Sequence, residues 1–248
     1  MQLTVLGCAG TFPGPDSPCS SYLVEHDGFR LVVDMGTGSL GQLQKHIGLL
    51  DVDAIYISHL HADHCIDLVA YSYARRYHPD GLPPPVPVYG PQGTGRRICS
   101  AFENAPLNGL IDVFDFREIP VGTTTIGPFE VTSALTNHPV ECHALRISAG
   151  GRSLVYSADT GACEGLVELA RDADVFLCEA SWEDRPDNPP GVHLSGREAG
   201  EHAARAGAKR LLLTHLVAWS DVDAIATEAG AAYGGDLAVA ACGATYDL

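Results

Sequence analysis

The chain has 248 residues, 46% of them hydrophobic, which is enough for a substantial core, so a single domain over 1–248 is expected. Its 31 acidic and 15 basic residues leave a formal net charge of −16, and no block of Lys or Arg forms the basic footprint of a protein that grips long nucleic acid. No run of 18 apolar residues suggests a membrane span. Met1–Val5 lacks a basic leader and reads as a first strand, so no signal peptide is expected. The eight cysteines (8, 19, 65, 99, 142, 163, 178 and 242) form no Cys-x-x-Cys pair, and read as mostly buried thiols of a reducing cytoplasm.

In chain order, the apolar patterning predicts strands over 2–7, 20–26 and 29–34, a helix over 38–46, a strand over 53–58 and a helix over 63–77. The stretch 78–85 is too proline-rich for a helix or a central strand; it either walls a cleft or simply connects. Then come a strand at 86–90, a helix at 92–104, and strands at 112–118, 129–137, 142–149 and 152–158. The remainder alternates: helix 163–171, strand 173–179, helix 195–206, strand 209–214, helix 220–230 and strand 236–247. Hairpins early in each half, followed by alternating helices and strands, suit an α/β fold of two similar halves. Their sheets would pack face to face in a four-layer αβ/βα sandwich, joined near 120–127.

The richest segment is Ile57-Ser58-His59-Leu60-His61-Ala62-Asp63-His64. Three imidazoles and a carboxylate within six positions are the donors that divalent transition metals take up. His59 and His61 share a face on extended backbone, while Asp63 and His64 open the next helix and serve a neighbouring position. One loop cannot complete a metal site. Candidates for the rest are His138 on an Asn-His-Pro turn, Asp159 after the strand ending near Ser157, and His215 after Leu211–Thr214. Each follows a strand, where a sheet can aim a ligand into a common cleft; a cap or turn role is the other reading for each. Cys65 follows the motif directly, and helix packing suits it better than ligation.

The order His-x-His-x-Asp-His, His, Asp-Thr, Thr-His resembles the metallo-β-lactamase superfamily of binuclear metallohydrolases, over essentially the whole chain. The resemblance implies that His59, His61 and His138 hold one metal. Asp63, His64 and His215 would hold the other, with Asp159 bridging. Asp63 counts as catalytic as well as a ligand. Two divalent ions are implied, zinc by default, with manganese or iron also compatible with this donor set. The family's glycine before the bridging aspartate is Ala158 here. Asp34, in Val32-Val33-Asp34-Met35-Gly36, resembles the family's buried aspartate that orders the metal loop; capping a helix is the other role open to it.

Phe176-Leu177-Cys178-Glu179-Ala180-Ser181-Trp182 and His193-Leu194-Ser195 resemble paired loops of the ribonuclease Z branch, in which a glutamate orients a histidine that protonates the leaving oxygen. By match these are Glu179 and His193; a neighbour of the helix cap at Ser195 is the lesser reading of His193. The first loop of that branch usually begins with His, where Cys178 stands, and the second reads His-Ser-Thr rather than His-Leu-Ser. Only 20 residues separate His138 from Asp159, leaving no room for the basic arm with which that branch grips tRNA. Through Gly7–Gly10, Gly14–Pro18, Arg75–Pro79 and Cys178–Trp182 the chain resembles compact actinobacterial members described as atypical class II cyclic-nucleotide phosphodiesterases.

That resemblance implies hydrolysis of 3′,5′-cAMP to 5′-AMP, with a hydroxide shared by two metals attacking phosphorus and His193 as general acid. The expected partner is a small cyclic nucleotide, with no long nucleic acid and no membrane, and the expected assembly is a homodimer. A ribonuclease Z-like nuclease or general phosphodiesterase stays open, as does a thioester or lactam hydrolase, which would not need Glu179 and His193. Trp182 and Trp219 could stack on a base, but core packing is the default for each.

Overall fold

The computed structural model describes every residue except 103–105, 107, 108 and 120. In chain order its elements are β1 (Gln2–Gly7), β2 (Ser21–His26), β3 (Phe29–Val33), α1 (Ser39–Leu43), β4 (Ala54–Tyr56), α2 (Ala62–Cys65), α3 (Asp67–Arg76), β5 (Val86–Gly90), α4 (Thr94–Ala101), β6 (Phe114–Glu118) and β7 (Gly122–Ile126). They continue with β8 (Phe129–Leu135), β9 (His143–Ala149), β10 (Arg152–Tyr156), α5 (Glu164–Leu169), β11 (Val175–Glu179), α6 (Gly196–Ala206), β12 (Arg210–Thr214), α7 (Val222–Tyr233), β13 (Asp236–Val239) and β14 (Thr245–Asp247).

The strands form two seven-stranded sheets, ordered β14-β1-β2-β3-β4-β5-β6 and β13-β12-β11-β10-β9-β8-β7. Read from β14 and from β7, each sheet makes three antiparallel pairings and then three parallel ones. The two halves are thus pseudo-equivalent, except that the last strand returns to the first sheet. Alternation along the strands supplies three apolar layers. Tyr22, Leu31, Val33 and Tyr56 face Leu145, Leu154, Tyr156 and Leu177 between the sheets. Leu23, Val32 and Ile55 face outward under the α1–α4 layer. Val155, Phe176, Leu211 and Leu213 do the same under α5–α7. This is the four-layer αβ/βα sandwich that the patterning predicts.

Three elements differ from the sequence-based expectation. The predicted strand 236–247 is two strands: β13 ends one sheet, and β14 crosses to pair with β1 in the other. β7 occupies part of the predicted join; its Gly-Thr-Thr-Thr-Ile sequence lacks an apolar alternation, although it pairs fully with β8. The sheets change hands between β6 and β7, and Pro120 of that join lies outside the described residues, as do residues 103 and 104 of the predicted helix 92–104. Finally, helix 63–77 is broken between α2 and α3. Met35 inserts there: its N–H donates to the His64 carbonyl (2.7 Å), and its carbonyl accepts from Asp67 N–H (3.0 Å). Gly36 permits this approach, since a Cβ there would lie 2.0 Å from the Asp63 carbonyl.

The proline-rich stretch behaves as a connector. Arg75 is buried on α3 and donates to the Pro84 carbonyl (2.6 Å). The stretch leads into the start of β5, which is parallel to β4, so it joins the sheet at the end opposite the His59 loop. Among the described residues no helix is long and apolar enough to cross a membrane.

Candidate metal centre

The parallel strands of both sheets bring their C-terminal ends to one edge, the place where open α/β sheets present their chemistry. Asp34 follows β3, His59 follows β4, Asp159 follows β10, Glu179 ends β11 and His215 follows β12. His138 comes from the β8–β9 connection. It is fixed there by its Nδ1–H, which donates to the Val192 carbonyl (2.9 Å), and by Gly161 N–H donating to the Asn137 carbonyl (2.8 Å).

All seven expected ligands converge, in two groups that share Asp159. Ligand atoms of His59, His61, His138 and Asp159 lie within 4.8 Å of one another, as do those of Asp63, His64, Asp159 and His215. In the first group His61 Nδ1 is 3.1 Å from His59 Nε2 and 3.3 Å from His138 Nε2. Imidazole nitrogens bound to one tetrahedral zinc at roughly 2.0–2.1 Å would lie about 3.3 Å apart. In the second group Asp159 is 3.2 Å from His64 Nε2 and 3.5 Å from His215 Nε2; Asp63 is 3.5 and 3.9 Å from the same two nitrogens. Three buried atoms here, His64 Nε2, His215 Nε2 and Asp159 Oδ1, have no hydrogen-bond partner. Orphaned buried donors and acceptors are expensive, and a cation facing all three would satisfy them. The residues fit a metal pair.

The protonation states agree with that role. Burial, aided by the neighbouring His64, holds His59 well below the ordinary histidine value; burial also lowers His61 and His215. Neutral imidazole is the ligating form. Burial acts against the charge of Asp159, yet His215, His64 and His59 together hold its carboxyl well below the usual range. Burial would likewise lower His64, but the Asp159 and Asp34 carboxylates raise it well above the usual value.

Behind the ligands lies a polar network. The fully buried Asp34 carboxylate accepts from His64 Nδ1–H (2.7 Å), Ser58 N–H (2.7 Å), Ser58 Oγ–H (2.8 Å) and Tyr156 O–H (2.9 Å). It caps no helix; the helix-capping reading falls away. Ser58 Oγ in turn pairs with His59 Nδ1 (3.1 Å), so one carboxylate orients ligands of both groups. Ser20 Oγ pairs with His215 Nδ1 (2.9 Å), and Thr11 N–H donates to Asp63 Oδ2 (2.9 Å). Ser20, Thr11 and Tyr156 escaped the sequence reading because nothing local marks a serine, threonine or tyrosine that meets its partner across more than 50 residues.

Strain concentrates here as well. Asp34 (φ 58°), Ala158 (φ 50°), His215 (φ 56°) and Thr11 (φ 64°) are all left-handed non-glycine residues. That conformation is costly for alanine and explains why the family places glycine at the Ala158 position. Cys65 packs in the outer core, as expected of it, and burial pushes its thiol up to about 11.

A third group sits beside the first two. Asp159, Glu179 and His193 also present ligand atoms within 4.8 Å of one another. Glu179 is fully buried and accepts from Thr160 N–H (2.7 Å), Ser181 Oγ–H (2.8 Å) and His193 Nδ1–H (2.9 Å). Ser195 is the residue that caps α6, through a reciprocal box with Glu198, so His193 is free to face the cleft. Burial lowers His193, but Glu179, through charge and hydrogen bond, and Asp159 outweigh it and hold the ring at about 9. Trp182 stands edge-on to His193, ring centroids 5.2 Å apart. Trp219 is not core at all: it is 78% exposed.

The model of the beta-lactamase superfamily domain matches residues 29–216. The chain belongs to that superfamily. It is a metallo-hydrolase of the beta-lactamase fold, similar along its whole length to an uncharacterized protein of Mycobacterium leprae (45% identical over 260 residues, 89% of that protein). The probable metallo-hydrolase YhfI of Bacillus subtilis is 30% identical over the full length of both chains. The crystal structure of the metallo-beta-lactamase fold protein YhfI superposes with a TM-score of 0.86 at 29% identity, over 99% of this chain and 98% of that one. A ribonuclease Z of Methanosarcina acetivorans is 24% identical over 87% of each chain.

Proposed function

We propose that this metallo-hydrolase is a binuclear, cytoplasmic phosphodiesterase that hydrolyses 3′,5′-cyclic nucleotides, cAMP to 5′-AMP. His59, His61 and His138 would hold one divalent ion, Asp63, His64 and His215 the other, and Asp159 both, zinc being the first choice of metal. The observation that carries the reading is the Glu179–His193 pair, hydrogen-bonded at 2.9 Å and aimed at the same space as Asp159. A positioned acid is what an alkoxide leaving group requires.

When bound, the metals would activate a water for attack on phosphorus and neutralise charge on the phosphoryl oxygens. Glu179, pinned by Thr160 N–H and Ser181 Oγ–H, fixes the His193 ring through Nδ1. Although burial acts against it, the Glu179 carboxylate raises His193 and so favours the protonated ring that a general acid needs. As the P–O3′ bond breaks, its Nε2 proton passes to O3′, giving the 3′-hydroxyl and a 5′-monophosphate, and the attacking water's proton leaves to solvent. The −16 charge and the short β9–β10 hairpin in place of any arm favour a mononucleotide over tRNA. The relative named ribonuclease Z keeps a nuclease as the second reading.

The test is His193→Ala with metal content measured alongside. Turnover of cAMP is expected to fall by about 10²-fold or more with metal content retained. The loss should shrink for bis(p-nitrophenyl) phosphate, whose leaving group needs no proton. Equal losses on both substrates would contradict the acid role.

A further inference from the structure

Two loops bearing on the candidate metal centre also build a surface that the chemistry above does not use. The loop after β1 turns sharply at Thr11, where Phe12 N–H donates to the Gly10 carbonyl (2.7 Å) around a left-handed Thr11 (φ 64°). This is a strained γ-turn. It serves two ends at once: Thr11 N–H reaches Asp63 Oδ2 (2.9 Å), and the next side chain, Phe12, is turned toward Trp219. On the other side, four residues beyond His215, a turn closed by Ser220 N–H donating to the Val217 carbonyl (2.9 Å) presents Trp219 at its tip. The loops are tied together by Gly10 N–H donating to the Leu216 carbonyl (3.0 Å), and Gly10 leaves no room for a side chain, since a Cβ would lie 2.6 Å from the His215 carbonyl.

Phe12 and Trp219 are therefore held against each other, ring centroids 4.7 Å apart and planes at 42°, within one residue of an Asp63 contact and four of His215. Phe12 supports one side of the indole, and 78% of Trp219 remains open to solvent. An exposed indole braced by Phe12 beside the candidate metal centre is suited to stacking on a planar heterocycle, because every base presents a π-face. The chain has only two tryptophans, and Trp182 is already placed edge-on against His193.

We propose that Trp219, backed by Phe12, is the platform on which the substrate's purine stacks, so that base recognition is set at this rim while the phosphate is handled by the histidine and aspartate groups. This rests on the cyclic-nucleotide reading. The test uses metal-loaded wild type, Trp219→Ala, Trp219→Phe and Phe12→Ala, with KM compared for cAMP and for base-free 1-O-methylribose 3′,5′-cyclic phosphate. The wild type should prefer cAMP by about 10-fold in KM. Trp219→Ala should abolish that preference, Trp219→Phe should keep most of it, and Phe12→Ala should weaken it. Indole fluorescence should be quenched by 5′-AMP but not by ribose 5-phosphate, and Trp219→Ala should remove the quenching. A preference that survives Trp219→Ala overturns the platform. So does loss of a dimer by light scattering with the preference intact, which would assign Trp219 to a second copy of the chain. A wild type that turns over neither cyclic phosphate, yet shows base-dependent quenching, would instead refute the cyclic-nucleotide reading and leave the platform standing.

Discussion

Replacing Asp34 by Asn isolates the network behind the metal ligands. Asparagine tolerates the left-handed backbone at φ 58°, so the fold of the turn is not perturbed. What changes is the acceptor count. The carboxylate accepts from Ser58 N–H on Oδ1, and from His64 Nδ1–H, Ser58 Oγ–H and Tyr156 O–H on Oδ2. An amide has one oxygen. If it keeps the Oδ2 place, an NH₂ group faces the buried Ser58 N–H; if it turns over, the NH₂ faces three donors. At least one buried donor loses its partner, at about 1–3 kcal/mol, and the charged partner of a raised His64 disappears as well. Together these place the loss at about 3–5 kcal/mol. His64 and, through Ser58, His59 also lose their orientation, which should lower metal affinity about 10- to 100-fold. Urea unfolding of metal-free protein would read the first effect and chelator competition the second. An Asp34→Asn protein within about 1 kcal/mol of wild type, with unchanged metal affinity, would refute the reasoning.

Gly36→Ala should destabilise by about 3 kcal/mol, the upper end for overpacking, because its Cβ would lie 2.0 Å from the Asp63 carbonyl and 2.7 Å from Cys19 Cβ; thermal unfolding checks this, and a near-neutral result would contradict the close packing at the α2–α3 break. Burial raises the carboxyl of the half-buried Asp174, but hydrogen bonds from Lys209, Ser153 and Arg152 outweigh it and hold it at about 2 against its ordinary 3.8. A depressed carboxylate contributes stability that is present above pH 4 and lost as pH falls toward 2. Asp174→Asn should thus be about 1–2 kcal/mol less stable at pH 7, after allowance for its exposed partners. The gap should close on acidification, and one that widens toward pH 2 would reverse the assignment. Purified wild type should carry close to two divalent ions per chain and Asp159→Ala fewer, with activity lost; full activity at one ion per chain by elemental analysis would contradict a shared aspartate.

The candidate ligand set was legible because its chemistry is concentrated. Four donors fall at 59, 61, 63 and 64, and the rest follow apolar runs whose ends mark the edge of a sheet. Glu179 and His193 became visible through resemblance, being 14 positions apart with nothing local to pair them. The supporting groups of Ser20, Thr11 and Tyr156 were out of reach, since each acts through a contact made by the sheet arrangement rather than by spacing. The same is true of the helix break at Ile66, which is caused by Met35 from a different loop, and of β14, whose partner β1 lies at the other end of the chain. Trp219 illustrates the opposite failure: its residue type suggests the core, whereas the turn at 217–220 holds it in solvent.

The measurement that bears most directly on the account is relative kcat/KM for cAMP and for a pre-tRNA 3′ trailer, each followed across ionic strength. A site that takes one phosphate on an acidic surface predicts cAMP turnover well above trailer cleavage, with only weak dependence on salt because few phosphates are engaged. Efficient, steeply salt-sensitive trailer cleavage with negligible cAMP turnover would contradict it and put the nuclease reading first.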